Sequence, residues 1–235
     1  MVLTGTLVNG AAIIAGALLG LCFRKIPERY KTTVMQALAL CVIVLGADMA
    51  LESQHFILVI SSLVLGGWIG ERLQLEERLN QAGAWLEKKT GAREGEPSVA
   101  NAFVTATLVY VVGAMAVVGA MDSGLRLDHD ILFTKSMLDG FTAIFFTSTL
   151  GIGVVFSAVP VVIYQGSIAL LAGQIERVVP EVMLEQMITE VTAAGGIMIL
   201  AIGLRIAGIL HVRVANLLPA LLLAALFVLG MDIFG

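Results

Sequence analysis

The chain has 235 residues, of which 58% are hydrophobic and only 14% are charged, and its formal net charge is −4. Soluble domains average about 45–50% apolar and about 25% charged residues, so this composition excludes an ordinary soluble domain and indicates an integral membrane protein. The negative net charge argues against nucleic acid as a partner. Because the N-terminus lacks the basic segment of a cleavable signal peptide, the first apolar run is predicted to be a retained span.

Apolar runs recur along the whole chain, and a spanning helix needs about 20 mostly apolar residues. The sequence therefore predicts an all-α, polytopic transmembrane bundle of eight spans, or of seven if one run is a re-entrant segment. The third and sixth runs are short, so they are expected to be less tilted or broken. The predicted spans are 5–23, 33–51, 56–70, 103–121, 137–159, 161–175, 188–206 and 215–233.

Positive charge is concentrated in two predicted loops. Four Lys or Arg residues lie in 24–31 and five in 71–102, which together make nine of the 14 in the chain. Because Lys and Arg in short loops favour the cytoplasmic side, these loops are expected inside and both termini outside. Most acidic residues then face outward, either as the plain consequence of this bias or as an outer mouth that concentrates cations.

The loop 71–102 contains a predicted amphipathic helix followed by a linker. Within 71–90, apolar residues recur at helical spacing at Leu75, Leu79, Ala82 and Leu86. Such a helix lies on the inner leaflet or on a partner protein. Residues 91–98 read GAREGEPS, which predicts a flexible linker. This linker is the best candidate boundary in a single membrane domain, with three spans in 1–70 and five in 103–235.

The stretch 140–175 contains no charged residue and is long enough for two spans joined by a tight turn. Pro160 and the Ser157-Ala158 pair before it predict the position of that turn or kink. Many small and polar residues interrupt the stretch, and these suit helix interfaces or water-filled paths better than lipid. We therefore expect this stretch to form the centre of the bundle.

Short motifs near the two ends of the chain suggest an internal repeat. The first three spans would start outside and the last three inside, so this repeat would be inverted. A rival alignment of 5–7 with 148–150 implies parallel four-span halves, and chance matches in a small apolar alphabet are a third reading. The matched residues of the inverted repeat are Asn9 with Gln165, Pro27 with Pro180, and Gly46 with Gly203.

Polar side chains inside the spans are candidates for a substrate pathway, because each costs free energy in lipid unless it faces protein or water. The amides of Asn9 and Gln165 serve either an interhelical hydrogen bond or substrate binding. Thr147 and Ser148 either bond back to their own helix or line a path. The complete set of candidates is Asn9, Lys135, Asp139, Thr147, Ser148, Gln165, Glu190, Arg205 and Asn216.

The charged candidates each have a structural alternative. Lys135 and Asp139 are four residues apart and so share a helix face, where they form an interfacial ion pair or part of a path. Glu190 is either a helix N-terminal residue favoured by the dipole or part of an outer mouth. Arg205 snorkels to lipid phosphates, clamps an anion, or pairs with an acid elsewhere in the bundle. Asn216 opens the last span beside a proline that can free a carbonyl to line a site.

If the pathway hypothesis and the inverted repeat both hold, the neutral candidates share one cavity near the midplane. That cavity would contain Asn9, Thr147, Ser148 and Gln165. Arg205 would then lie at its inner end, and Asp139 or Glu190 at its outer end. Neutral amides at the centre suit a dehydrated cation or a small polar solute. Enzyme signatures such as a Gly-rich phosphate loop or a His-x-x-x-His pair are missing, so we expect no enzyme activity, cofactor or metal ion.

Four motifs, taken together, resemble a known family. They are the segments 135–139 (KSMLD), 149–154 (TLGIGV), 203–209 (GLRIAGI) and 216–221 (NLLPAL). The chain resembles the YdfK/YqgA-type family of bacterial inner-membrane proteins, which is known only as a domain of unknown function. The resemblance covers nearly the whole chain, including Asn9. It implies a multi-span protein of the bacterial inner (plasma) membrane and supplies no substrate.

We expect a transporter or channel for a small solute or ion, with its pathway lined by the fifth, sixth and seventh spans. The alternative is a non-transporting sensor or an assembly or scaffold protein that acts through the amphipathic helix. The expected partners are the lipid bilayer, a small solute or ion, and a second copy of the chain. The homodimer is expected because small residues allow close helix approach, as at Gly16, Gly20, Gly113 and Gly119.

Overall fold

The structure, a computed structural model, describes residues 1–23, 28–90 and 98–234. All regular secondary structure in these residues is helical. The helices are α1 (Thr4–Cys22), α2 (Glu28–Leu51), α3 (Phe56–Leu73), α4 (Leu75–Thr90), α5 (Val99–Val111), α6 (Ala114–Leu125), α7 (Asp130–Leu150), α8 (Gly153–Phe156), α9 (Ala158–Val178), α10 (Glu181–Ile206) and α11 (Pro219–Phe234), with a 3₁₀ helix at Val214–Leu217.

The all-α, polytopic membrane fold predicted from the apolar runs is confirmed. Among the described residues, six helical segments are long and apolar enough to cross a membrane, and α5 with α6 adds a seventh if this pair, bent by 61°, is one span. Helix α7 is not among the six, since it carries Asp130, Lys135 and Asp139. The exact count of eight, the inverted repeat and the orientation of the termini stay predictions.

The break predicted at Ser157-Ala158 and Pro160 is present between α8 and α9, since Ser157 separates these helices, but the central stretch also breaks earlier. Helix α7 ends at Leu150, and Gly151 follows with φ 95°, a conformation that strongly favours glycine. The short helix α8 and Ser157 then lead into α9. Pro160 lies in the first turn of α9, where its missing N–H removes no helical hydrogen bond. The sixth span is therefore not short, because α9 alone has 21 residues.

Two other predictions fall partly outside the described residues. Helix α4 confirms the predicted helix over 75–90, whereas 71–73 belong to α3, and the side chains of Ala82 and Leu86 lie outside the described set. Most of the linker 91–98 and Pro27 of the repeat also lie outside it. By its contacts the chain forms two compact units, each made of several segments. The first three helices contribute to both units, so this division does not follow the linker.

The first unit comprises Met1–Val34, Leu79–Val111 and Met115–Ile175. Its main packing is between α1 and α7, which run parallel: Gly5 lies against Leu132, Gly16 against Gly140, and Gly20 against Ile144. A Cβ at Gly16 would lie 2.0 Å from the Gly140 carbonyl oxygen, so the two backbones touch. Helix α9 packs antiparallel to α1 in the same unit.

The second unit comprises Met35–Arg78, Val112–Ala114 and Glu176–Gly235. Here α3 packs antiparallel to α11, with Gly66 against Ala220 and Gly70 against Asn216. Helices α2 and α10 are also antiparallel. Alanine and other small side chains fill the contacts of α10 with α3 and α11, as in the buried cluster formed by Val59, Ala193, Ala194 and Ala224.

Candidate functional site

A buried polar cluster joins α1, α7 and α9 in the first unit. The Asn9 side-chain nitrogen donates to Asp139 Oδ2 at 3.0 Å and to Gln165 Oε1 at 3.2 Å. Asn9 and Gln165 are fully buried, and Asp139 is only 6% exposed. The structure thus brings together three candidates that are far apart in the sequence. Asp139 lies beside the amides rather than at a separate outer end, as the cavity hypothesis had placed it.

Lys135 completes this cluster from one turn earlier on α7. Its Nζ lies 3.1 Å from Asp139 Oδ1 and 3.0 Å from Oδ2, so the ammonium contacts both carboxylate oxygens. The four-residue spacing places the two side chains on the same face of α7, as the sequence predicted. With Lys135 only 7% exposed, the pair is buried within the protein. The formal charges within the cluster sum to zero.

The close approach of the helices explains why these side chains meet. Glycines on α1 allow its backbone to touch α7 at Gly16 and Gly20, which fixes the register that sets Asn9 beside Asp139. Gly10 lies against Val162 of α9, which brings the Gln165 turn of α9 toward Asn9. Gly16 and Gly20 are therefore used inside one chain, as is Gly119, which packs on Ile131 and Leu132.

Several buried polar atoms in the first unit lack a hydrogen-bond partner. Of these, the acceptor Asn9 Oδ1 and the donor Gln165 Nε2 belong to the cluster itself. The others are hydroxyls, which are able both to donate and to accept. Among the described residues the complete set is Thr6 Oγ1, Asn9 Oδ1, Thr107 Oγ1, Tyr110 OH, Thr147 Oγ1 and Gln165 Nε2. All six lie in the first unit.

Thr147 and Ser148 differ although they are adjacent. Thr147 is fully buried, lies against Gly20 of α1, and its hydroxyl is one of the unpaired atoms. Ser148 donates to the Phe145 carbonyl of its own helix at 2.8 Å and is only partly buried. Ser148 therefore bonds back to its own helix, which was the structural alternative to lining a path. Thr147 stays a pathway candidate.

Glu190 belongs to the second unit and caps a loop. It is 1% exposed, and its carboxylate accepts from Ser53 Oγ at 2.6 Å and from the backbone N–H groups of Gln54 and His55, each at 2.9 Å. The prediction that Glu190 is a helix N-terminal residue is wrong for its own helix, since α10 starts at Glu181. Its carboxylate instead satisfies backbone donors at the start of α3.

Arg205 also lies in the second unit, where it pairs with an acid, which was one of its three predicted roles. Its Nη1 lies 3.1 Å from Glu76 Oε1. Glu76 Oε2 accepts from the backbone N–H of Ala215 at 2.9 Å, and the backbone N–H of Glu76 donates to Asn216 Oδ1 at 2.8 Å. Asn216 Nδ2 in turn donates to Glu71 at 2.6 Å. This network fixes the first turn of α4 to the 3₁₀ helix.

Sequence reasoning missed several of these participants. Thr6 lies three residues before Asn9 and hence on the same helix face, a spacing that was available in the sequence. Tyr110 and Thr107 sit in an apolar run with no distinguishing pattern. Glu76 was not a candidate, because only the fold brings it to Arg205.

A groove of about 400 Å³ lies between α1 and α9. Its lining is aliphatic apart from one glycine, so it suits lipid acyl chains rather than a polar solute. The buried cluster, by contrast, offers two amides and one internally neutralised carboxylate. The described residues contain no group of three or more His, Cys, Asp or Glu side chains able to hold a metal ion.

Six long apolar helical segments among the described residues define a polytopic helical membrane protein. The chain belongs to the family described as "Protein of unknown function (DUF554)", whose model matches residues 4–229. It is 34% identical over 236 residues to the "Uncharacterized membrane protein YdfK" of Bacillus subtilis (strain 168), covering 98% of each chain. It is 31% identical over 224 residues to the "Uncharacterized protein YqgA" of Escherichia coli (strain K12), covering 94% of each. No solved structure matches the chain significantly. The resemblance seen in the motifs is thus confirmed.

Proposed function

We propose that this membrane protein is a non-enzymatic transporter or channel for a small solute or ion, and that its polar path runs through the first unit. The observation that carries the proposal is the Asn9–Asp139–Gln165 cluster with its unpaired amide atoms. A buried polar group without a partner costs about 1–3 kcal/mol. The unpaired amide oxygen of Asn9 and amide nitrogen of Gln165 are therefore the groups that we propose a passing solute or ion contacts.

The direction of the helices supports a bundle with eight crossings. Helices α1 and α7 run parallel, so an odd number of crossings must separate them. Helices α2 and α3 provide two, and the bent pair α5 and α6 provides the third if it crosses once. On this reasoning α7 itself crosses the membrane, which places its ion pair within the bilayer, where charged side chains usually face a cavity or a partner.

The first test is flux through the purified protein in proteoliposomes, with sodium, potassium, glycerol and urea as probes. Gln165→Leu should abolish flux of the transported probe while leaving the thermal unfolding temperature within a few degrees of the wild type. Leucine is apolar and packs well in a dry interface, so the variant loses only the amide group. Leu170→Ala is the matched control, because Leu170 is on the same helix and 61% exposed, and it should change neither property.

Two results would count against the proposal. One is wild-type protein that passes none of the four probes under any gradient. The other is a Gln165→Leu variant whose unfolding temperature falls while its flux is unchanged, since that would make the cluster an interhelical bond and nothing more.

A second candidate is a sensor or assembly protein that acts through α4. The observation that favours it is the network of Glu71, Glu76 and Asn216, which fixes the first turn of α4. A helix anchored in this way presents one defined face to a partner. Glu76→Ala should then weaken partner binding without altering flux, whereas a transporter needs no partner on α4.

We propose the inner (plasma) membrane as the location. Proteins of the bacterial outer membrane typically span it as β-barrels, whereas the candidate spans of this chain are helices. The homodimer also stays a proposal. Gly16, Gly20 and Gly119 pack inside the chain, so a dimer has to use other surfaces. A mass measurement in detergent checks it.

A further inference from the structure

We infer that the carboxylate of Asp139 and the amide oxygens of Asn9 and Gln165 form a site for a monovalent cation, and that the ammonium of Lys135 neutralises the carboxylate when no ion is bound. The inference rests on the proposed function and names the class of ion that the path takes. In the observed state the lysine ammonium contacts both oxygens of the Asp139 carboxylate. In a second state a sodium- or potassium-like ion takes its place on the carboxylate.

The arrangement of oxygens carries the first step. Asn9 Nδ2 sits between two acceptors, Asp139 Oδ2 at 3.0 Å and Gln165 Oε1 at 3.2 Å, while Asn9 Oδ1 is unpaired. An amide keeps nearly the same shape after a half-turn of its terminal group. After such a turn three oxygens would face one another. They would repel each other when empty and would coordinate a cation when one is present, as neutral carbonyl oxygens do in cation-selective filters.

The charge count carries the second step. The cluster has one carboxylate and one ammonium, so it is neutral as observed. Replacing the ammonium by a monovalent cation keeps it neutral, whereas a divalent ion would leave a net positive charge among residues that are at most 7% exposed. A bound anion would add a second negative charge beside Asp139, and the single positive charge of Lys135 would neutralise only one of the two. Only a monovalent cation exchanges one for one.

The position of Lys135 on its helix carries the third step. It lies five residues after the first residue of α7, or about 7.5 Å along the helix axis. Its long side chain is able to swing toward that end of the helix, as lysines near membrane interfaces do. Asp128 and Asp130 are exposed there and provide negative charge to receive it. Asp128 and Asp130 are therefore alternative partners for the lysine ammonium when it leaves Asp139.

The test is cation-dependent thermal unfolding of the purified full-length protein, with sodium or potassium chloride replaced by choline chloride at constant ionic strength. Lys135→Gln removes the competing ammonium, so sodium or potassium should stabilise this variant with a half-maximal concentration at least tenfold below that of the wild type. The double variant Lys135→Gln/Asp139→Asn should lose the cation effect. Arg126→Gln is the control, because Arg126 pairs with Asp122 at the surface, and it should match the wild type.

Two outcomes would overturn the inference. They are a Lys135→Gln variant that responds equally to choline, sodium and potassium, and a double variant that keeps the effect. If Lys135→Gln does not fold, the wild type itself is titrated to molar sodium or potassium, where stabilisation is expected and should disappear in Asn9→Leu. Absence of that stabilisation also refutes the site.

Binding and flux separate the two proposals. Cation-dependent stabilisation without flux of any probe would refute the proposed transport and support the cation site. Flux of glycerol or urea without any cation effect would keep transport and sink the cation site.

Discussion

The two units of the chain differ in how completely their buried polar groups are hydrogen-bonded. In the second unit Glu190 is 1% exposed and accepts three hydrogen bonds, two of them from backbone N–H groups. In the first unit Asp139 is paired, yet the amides beside it keep an unpaired oxygen and an unpaired nitrogen. Burial of a polar side chain is thus a poor sign of function by itself. The balance between polar atoms and partners distinguishes the two regions.

Their different surroundings explain the contrast. Glu190 meets the loop before α3, where the first N–H groups of a helix have no intrahelical partner and are available as donors. Asn9 and Gln165 lie within α1 and α9, where the backbone N–H groups already bond within the helix. A mid-helix amide oxygen is therefore satisfied only by other side chains or by a bound molecule.

The largest expected effect comes from breaking the ion pair of the first unit. Lys135→Met in choline buffer should lower the free energy of unfolding by about 3–5 kcal/mol, because Asp139 is then left as a buried, uncompensated charge. Lys135→Met/Asp139→Leu should recover most of that loss. Chemical unfolding followed by tryptophan fluorescence measures both variants, and a single variant as stable as the wild type would show that the pair is not buried.

A smaller effect is expected in the second unit, from Glu190→Gln. The change weakens hydrogen bonds to a charged group, which are worth about 1.5–3 kcal/mol each, while keeping one acceptor oxygen. We expect a loss of about 2 kcal/mol in the free energy of unfolding and no change in flux. Glu185→Gln is the control on the exposed part of α10 and should stay within about 0.5 kcal/mol. If Glu190→Gln lost flux at unchanged stability, the second unit would take part in the path and the contrast between the units would be wrong.

The smallest effect tests the unpaired hydroxyls directly. Thr147→Val has nearly the same shape and removes a buried hydroxyl without a partner, so stability should rise by about 1 kcal/mol. If the hydroxyl lines the path, flux should fall at the same time. Thr142→Val is the control, because Thr142 donates to the Leu138 carbonyl at 2.8 Å. A destabilised Thr147→Val variant would mean that the hydroxyl has a structural partner.

The positions of breaks and partners were the hardest features to predict. Pro160 is a strong turn signal, but its effect depends on where it falls in a helix, and the first turn of α9 tolerates it. Gly151 forms an additional, earlier break, where its φ of 95° strongly favours glycine. The Lys135–Asp139 pair was predictable because four-residue spacing is local. The partners of Arg205 and Glu190 were not, since they come from α4 and from the loop before α3.

The sequence by itself determined that this is a helical membrane protein and which few polar side chains lie in its spans. Long apolar runs leave helices as the solution in lipid, because every backbone group must be paired within its own segment. Only the tertiary structure decided which of those side chains meet. Asn9 and Asp139 are 130 residues apart, and their contact depends on the rotation and register of α1 against α7. Glycine-mediated backbone contact sets that register, and no local pattern encodes it.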